Sequence, residues 1–319
     1  MNFTRTIHNN IDSSHITIFK NHKYNISPQL RGGLGNQLFQ IAALYSYAYD
    51  MGINIIIEVT ELPGVGHKSV YKGQTGDMLP VKISDIFPNI NAVDGPKYYW
   101  KQYICQEKDS HKFIPLKDYV PRNADKIKVI GTFMSHYYFN SNREKILDLF
   151  SFSPKINEYI VNKYSKLLNI ENTISVHVRR GDYIKRIKYG DKRFCLLGTD
   201  YYKKAFNIFN DIQDVKYIFF KEDEESKKYI ETELVPLLNG DYIIIDYESS
   251  PVDLALMSLC KHNIIANSTF SFWGAYLNRN KDKIVVAPSE WKNGGDENTL
   301  KHRVLPEWTI IKCECITQI

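Results

Sequence analysis

A chain of 319 residues, 43% of them hydrophobic, can bury a sizeable core and is long enough for two domains. Charged residues at 24% match an ordinary globular protein, and a net charge of +5 suits an anionic small ligand but falls short of the dense basic stripe of a nucleic-acid binder. Five cysteines, Cys105, Cys195, Cys260, Cys313 and Cys315, are odd in number, scattered and without zinc-ligand spacing, which points to reduced, non-structural thiols.

The opening segment, 1-MNFTRTIHNNIDSSHITIF-19, is polar and has no signal-peptide core. No later run approaches the roughly 18 apolar residues of a membrane span. A soluble, cytoplasmic chain is therefore expected, and the sequons at Asn2, Asn25 and Asn267 are then chance matches. Residues 1–25 read as loosely ordered or as a weak strand. Glycine-rich 31-RGGLGNQ-37 runs into a segment where Leu38, Ile41, Ala42, Tyr45, Ala48 and Tyr49 recur at three and four, the mark of a helix closed by Gly52. A strand follows at 53-INIIIEV-59. Residues 60–96 carry many Gly and Pro and read as a long loop region of the functional or mobile kind. Another strand is expected at 127–133, with helices at 142–152 and 156–168.

Beyond Asn169 the rhythm changes. Apolar strands at 173–178, 216–222, 242–246, 262–267 and 283–288 alternate with helical patterns at 200–210, 225–238, 251–261 and 268–278. That alternation predicts a doubly wound parallel sheet, hence an α/β fold. A domain boundary is expected between 160 and 170, drawn after residue 165.

Ligands of open parallel sheets sit at the carboxyl ends of the strands. There the strand 173-TISVHV-178 runs into Arg179, Arg180, Gly181 and Asp182. Strand alternation puts His177 and Arg179 on one face and Arg180 elsewhere, unless the turn has begun. Paired guanidiniums at such a rim suit a diphosphate, which they grip bidentately, and Gly181 permits a close turn. The plain alternative is a surface ion-pair cluster. An Arg-Gly-Asp adhesion tripeptide needs an exposed loop, and here it abuts a buried strand.

A second cluster, 264-IIANSTFSFWGAYLN-278, again lies where a strand meets a helix. Small hydroxyl residues there cap the helix and present N–H groups to an anion, so Ser268, Thr269 and Ser271 are candidate phosphate contacts. The third, Gly32, Gly33, Gly35, Asn36 and Gln37, lacks the glycine spacing of a dinucleotide fingerprint, since Leu38 stands at the third position. It reads as a glycine turn presenting an amide. Asp246 and Asp253, near strand ends, are candidates for guanine or ribose contacts. His136 and His262 have no ligand-spaced partners, so no structural metal is expected.

Together, 32-GGLGNQLFQ-40, 131-GTFMSHYYF-139, 175-SVHVRRGDY-183, 198-GTDYYKKA-205, 253-DLALMSLCKHNIIANSTFSFWGAYLN-278 and 284-IVVAPSEW-291 resemble the α-1,2-fucosyltransferase family, glycosyltransferase family 11, over most of residues 30–310. The resemblance implies a GT-B architecture of two Rossmann-like domains facing across a cleft. Residues 1–165 would serve the acceptor and 166–319 the GDP-sugar. It implies inverting transfer of fucose from GDP-fucose to the 2-hydroxyl of an acceptor such as terminal galactose, with no metal or other cofactor. Arg179 would neutralise the diphosphate, with Arg180 in support and His177 and Asp182 shaping the pocket. Asn267, Ser268, Thr269, Ser271 and Phe272 match the segment that binds phosphate and nucleoside. Gly35, Asn36 and Gln37 match a loop reaching the transferred sugar.

The sequence departs from the family in three places. Gln40 replaces a glutamate of animal members, Lys221-Glu222-Asp223 replaces Ser-Asp-Asp, and Phe272 replaces a second tryptophan. The first puts an N-domain carboxylate base in doubt. Asp182, flanked by arginines, makes a poor base, which leaves Glu58, Glu61, Asp77 or water with Asn36 orienting the nucleophile. Competing functions are a same-fold transferase with another donor or acceptor, and a non-catalytic glycan-binding or adhesion protein.

Overall fold

A computed structural model describes residues 24–59, 82–90, 92–94, 103–109, 112–121, 125–191, 193–246 and 248–317. The expected loop region 60–96 falls largely outside these residues, as do the candidate carboxylates Glu61 and Asp77. The chain divides into two compact units, with the boundary between Tyr159 and Ile160.

The first unit contains β1 (Asn25–Pro28), α1 (Leu34–Met51), β2 (Asn54–Ile55), β3 (Ile57–Val59), α2 (Ile83–Ile86), β4 (Ala92–Asp94), β5 (Tyr103–Gln106), β6 (Lys126–Ile130) and α3 (Arg143–Leu149). Its main sheet has the order β2-β1-β6-β5, parallel throughout. Helix α1 packs its apolar face inward, with Leu38, Ile41, Ala42 and Leu44 fully buried. It stops at Gly52, whose left-handed φ of 64° lets its N–H cap the carbonyls of Ala48 and Tyr49.

Helix α4 (Pro154–Leu168) leads into the second unit, with non-helical backbone at Tyr164. There follow β7 (Thr173–His177), α5 (Gly181–Lys188), β8 (Leu196–Leu197), α6 (Thr199–Asn207), β9 (Lys216–Phe220), α7 (Glu224–Tyr229), β10 (Asp241–Ile244), α8 (Ser250–Leu259), β11 (His262–Ile264), α9 (Thr269–Leu277), β12 (Val285–Pro288), α10 (Glu297–Arg303), β13 (Thr309–Ile311) and β14 (Cys315–Ile316). Six parallel strands run in the order β10-β9-β7-β11-β12-β13. The chain starts in the middle at β7, winds out to β10, and returns to lay β11 against the other side of β7. That reversal between β7 and β11 is the switch point at which α/β sheets open a crevice. Every residue of β7 is buried, as expected of a strand covered on both faces. The α/β class and the Rossmann-like sheet agree with the sequence.

Two readings need correction. Cys195 and Cys315 form a disulfide, with Cα atoms 4.7 Å apart across 120 residues of chain. The contact arises because β14 pairs antiparallel with β8, a closure that spacing alone does not reveal. Cys105, Cys260 and Cys313 are buried free thiols. The second concerns 181–188, where the sequence reading allows a turn at Gly181 and assigns no element. It is a helix, because Gly181, Ile184 and Ile187 recur at helical spacing and bury one face. No helix among the described residues is long and apolar enough to cross a membrane.

Candidate active site

The site grows from the carboxyl ends of β7 and β11. Strand β7 ends at His177, and the turn has begun by Arg179, so the two arginines leave the sheet together. Arg179 is held by two carboxylates: Nη2 lies 2.9 Å from Asp182 and Nη1 pairs with Glu222. Among the described residues Arg180 has no carboxylate partner; its guanidinium carbon lies 3.8 Å from the centroid of the Tyr229 ring. Nε of Arg179 and Nε and Nη1 of Arg180 are buried donors without acceptors among the described residues. Gly181 fits here because a Cβ would come within 2.8 Å of Asp223 and 2.9 Å of Glu222.

His177 is buried, its Nδ1 has no partner among the described residues, and its ring lies 5.8 Å from that of Phe270. Burial, with the charge of Arg179 adding, pushes its pKa down to about 3, so the imidazole is neutral at physiological pH. The two tyrosines of 198-GTDYYKKA-205 have a structural task. Tyr202 donates to the carbonyl of His177 at 3.1 Å and Tyr201 to that of Ile265 at 2.6 Å. They satisfy backbone acceptors on both sides of the switch point where the ladder stops.

Around β11, Asn267 donates through Nδ2 to the carbonyl of Cys195 at 2.7 Å, leaving Oδ1 buried without a partner. Its own carbonyl accepts from Tyr183 at 3.0 Å. Tyr183 also lies under the Arg179 guanidinium, 5.4 Å from ring centroid to Cζ. Ser268 caps α9 by accepting from the N–H of Phe270, and Thr269 opens the helix. Ser271 donates to Ala266 and Ser268 carbonyls, so its hydroxyl is already engaged. Phe272 does not reach the rim: it is fully buried among Trp273, Tyr276 and Trp308. The aromatic residue at this position serves the core.

The two aspartates separate clearly. Asp246 is clamped by Lys221 at 2.5 Å and Lys227 at 2.8 Å. Burial opposes its charge, but the two lysines outweigh it and hold the carboxyl below its usual range. It is a structural anchor rather than a free ligand contact. Asp253, in the first turn of α8, has a buried Oδ1 with no partner among the described residues. Burial, with help from Glu248, drives its pKa well up, only partly offset by Lys221. Glu222 enters the sequence reading only as part of the Lys221-Glu222-Asp223 departure, not as a site residue.

In the first unit, Gly35, Asn36 and Gln37 are not a loop but the first turn of α1. Gln37 is buried and donates to the Gly32 carbonyl at 2.8 Å. Gln40 exchanges two bonds with the backbone of Arg31, at 2.9 and 3.0 Å. Both glutamines thus fold the glycine turn back onto the helix. Gly32 adopts a φ of +78°, and a Cβ there would sit 2.5 Å from Asn36 Nδ2. Asn36 alone of this trio is part-exposed. Glu58 lies in β3.

Comparison with known proteins places the chain. The model of glycosyl transferase family 11 matches residues 12–312. The O-antigen biosynthesis glycosyltransferase WbnK of Escherichia coli is 32% identical, over 85% of this chain and 96% of its own. An alpha-1,2-colitosyltransferase of Escherichia coli is 28% identical, over 82% and 91%. The galactoside alpha-(1,2)-fucosyltransferase 2 of Hylobates lar is 23% identical, over 89% and 78%. Among solved structures, the fucosyltransferase NodZ of Bradyrhizobium shares the fold with a TM-score of 0.51 at 14% identity, covering 80% of this chain and 93% of its own.

Proposed function

The chain belongs to glycosyl transferase family 11, and on that premise we propose that it moves L-fucose from GDP-fucose to the 2-hydroxyl of a terminal galactose, with inversion and without a metal. One observation carries the reading: three guanidinium nitrogens of Arg179 and Arg180 are buried without acceptors at the switch point of a doubly wound sheet. Buried donors are ordinarily paired, and the oxygens of a diphosphate are the acceptors that fit a guanidinium fork. When the bond from fucose to GDP breaks, the sugar gains oxocarbenium character and the diphosphate gains negative charge. Fixed cations at that point stabilise the transition state more than the ground state.

The other residues follow from their chemistry. Asp253 offers an unpaired carboxylate oxygen to the N1–H and exocyclic amine of guanine, donors that uracil and adenine do not arrange alike. The N–H groups opening α9, with Ser268 and Thr269, face the anion. Neutral His177 donates or accepts beside Arg179. Asp182 is committed to Arg179 and is not the base. Asn36 orients the acceptor hydroxyl, whose proton leaves late to water.

A second reading keeps the linkage and changes the donor to a GDP-linked colitose, favoured by the 28% identity to the colitosyltransferase. The test is a thermal-shift series with GDP, GDP-fucose, UDP and ADP, with and without Mg²⁺. A ligand at about 100 times its dissociation constant adds roughly 2.7 kcal/mol of stability. Guanine nucleotides alone should shift the protein, indifferent to Mg²⁺. Incubation with GDP-fucose and a galactose-terminated oligosaccharide should then add one fucose, its position read by NMR. Transfer to a different hydroxyl, or from colitose alone, overturns the first reading.

A further inference from the structure

Past β12 the loop 289-SEWKNGGD-296 lies beside the switch point. It is fastened there twice: Asn267 Nδ2 reaches the Trp291 carbonyl at 3.4 Å, and the Asn293 N–H donates to the Arg193 carbonyl at 3.1 Å. Its acids are already engaged. Glu290 accepts from the Gly295 N–H, and Asp296 caps α10 through Thr299. Nearby Asp191 forms a two-point pair with Arg193. The basic side chain of the loop has no such outlet. Lys292 is part-buried, and its ammonium makes no hydrogen bond or ion pair among the described residues.

Two further features belong to the neighbouring Trp291. Trp291 is 8% exposed, yet its indole Nε1–H is buried with no acceptor. The guanidinium of Arg303 lies over the Trp291 ring, 6.0 Å from its centroid. Burial disfavours the charge on Lys292, and Arg303 and Arg193 disfavour it further. A half-buried cation disfavoured by other cations, adjacent in sequence to a tryptophan with an unused donor, is costly when empty and strong when an anion arrives.

We propose that Lys292 and the indole N–H of Trp291 form a second anion subsite, which takes a carboxylate or phosphoryl group carried by the acceptor. The assignment to the acceptor rests on the diphosphate reading above. Along the rim, Asp253 follows β10, Arg179 follows β7, Asn267 follows β11 and Lys292 follows β12. Adjacent strands are about 4.8 Å apart, so β12 lies about 10 Å beyond β7 on the side away from Asp253. With the base near Asp253 and the diphosphate at Arg179 and Asn267, the donor has only its neutral sugar left. Any further negative charge belongs to the other substrate.

The experiment follows the tryptophan indole signals by ¹⁵N–¹H NMR. The chain has four tryptophans, so four signals are expected, with Trp291 assigned through Trp291→Phe. GDP-saturated protein is titrated with inorganic phosphate and, separately, with glucuronate. The expected result is a saturable shift of the Trp291 signal that is lost in Lys292→Met and kept in Lys292→Arg. The probe giving the larger shift separates a phosphorylated from a uronic acceptor. No shift with either probe, or an unchanged shift in Lys292→Met, overturns the subsite. A GDP affinity lowered about tenfold or more by Lys292→Met also overturns it, by placing the lysine in the donor site. If GDP does not bind at all, the diphosphate reading has failed instead, and the same titration of ligand-free protein still decides whether the subsite exists.

Discussion

Arg180 is stacked on Tyr229, guanidinium carbon to ring centroid 3.8 Å, while its neighbour Arg179 is held by Asp182 and Glu222. One arginine is therefore fixed by charge and the other by an aromatic face that uses none of its N–H groups. Arg180 is the side chain with more hydrogen-bonding capacity left over. We expect Arg180→Ala to lower kcat/KM by roughly 10²- to 10³-fold, the loss typical of removing one preorganised donor. Tyr229→Phe keeps the ring and should stay near wild type; Tyr229→Leu should lose about tenfold through disorder of the arginine. Steady-state kinetics on the three variants is the check, and full activity in Arg180→Ala would reject the role.

Asp253 sets binding against stability. Its folded pKa is raised, so the folded state holds the proton more tightly than the unfolded state, and stability falls as pH rises above the unfolded value of about 3.9. Once ionised, the unpaired oxygen is a burden that a guanine would relieve. Asp253→Asn should therefore raise the melting temperature of the empty protein while weakening GDP. Calorimetry of melting and of GDP binding tests both halves; a variant that melts lower would contradict the argument.

His177 predicts a slope on the acid side. Its folded pKa of about 3 lies below the unfolded value of about 6.5. Between those values the unfolded chain binds a proton that the native state refuses. Its contribution is complete above about pH 6.5 and is lost as pH falls toward 3. Denaturant titrations at pH 7.5 and 5 should show the wild type losing more stability than His177→Asn.

Packing gives a prediction that does not depend on catalysis. A Cβ on Gly274 would sit 2.7 Å from Met257 Cβ, where α9 crosses α8. Gly274→Ala should destabilise by about 1–3 kcal/mol through overpacking. Removing that Cβ with Met257→Gly makes room, so the double variant should be more stable than the sum of the two single changes implies.

The second sheet was legible because its inner strands are buried on both faces and therefore continuously apolar, as in 173-TISVHV-178 and 216-KYIFF-220. The rim residues followed from strand ends and from family resemblance. What escaped were relations that only folding creates. Asp246 and Asp253 look alike as acids near strand ends, and only the approach of Lys221 and Lys227 separates them. Phe272 shares a motif with Ser268, yet helix rotation turns it into the core. Lys292 carries no motif at all; it stands out through the acceptors it lacks.

The bond between Cys195 and Cys315 closes the polypeptide into a covalent ring. Five strands of the second sheet, β9 to β13, lie within that ring, and β7 alone lies outside it. The strand that carries the arginines is thus held between β9 and β11 without belonging to the loop they share. A protease that cuts within 196–314 leaves one molecule, which migrates as a single species until a thiol opens the ring. The unfolded chain keeps the same lasso, so β7 rejoins a segment whose ends have never separated.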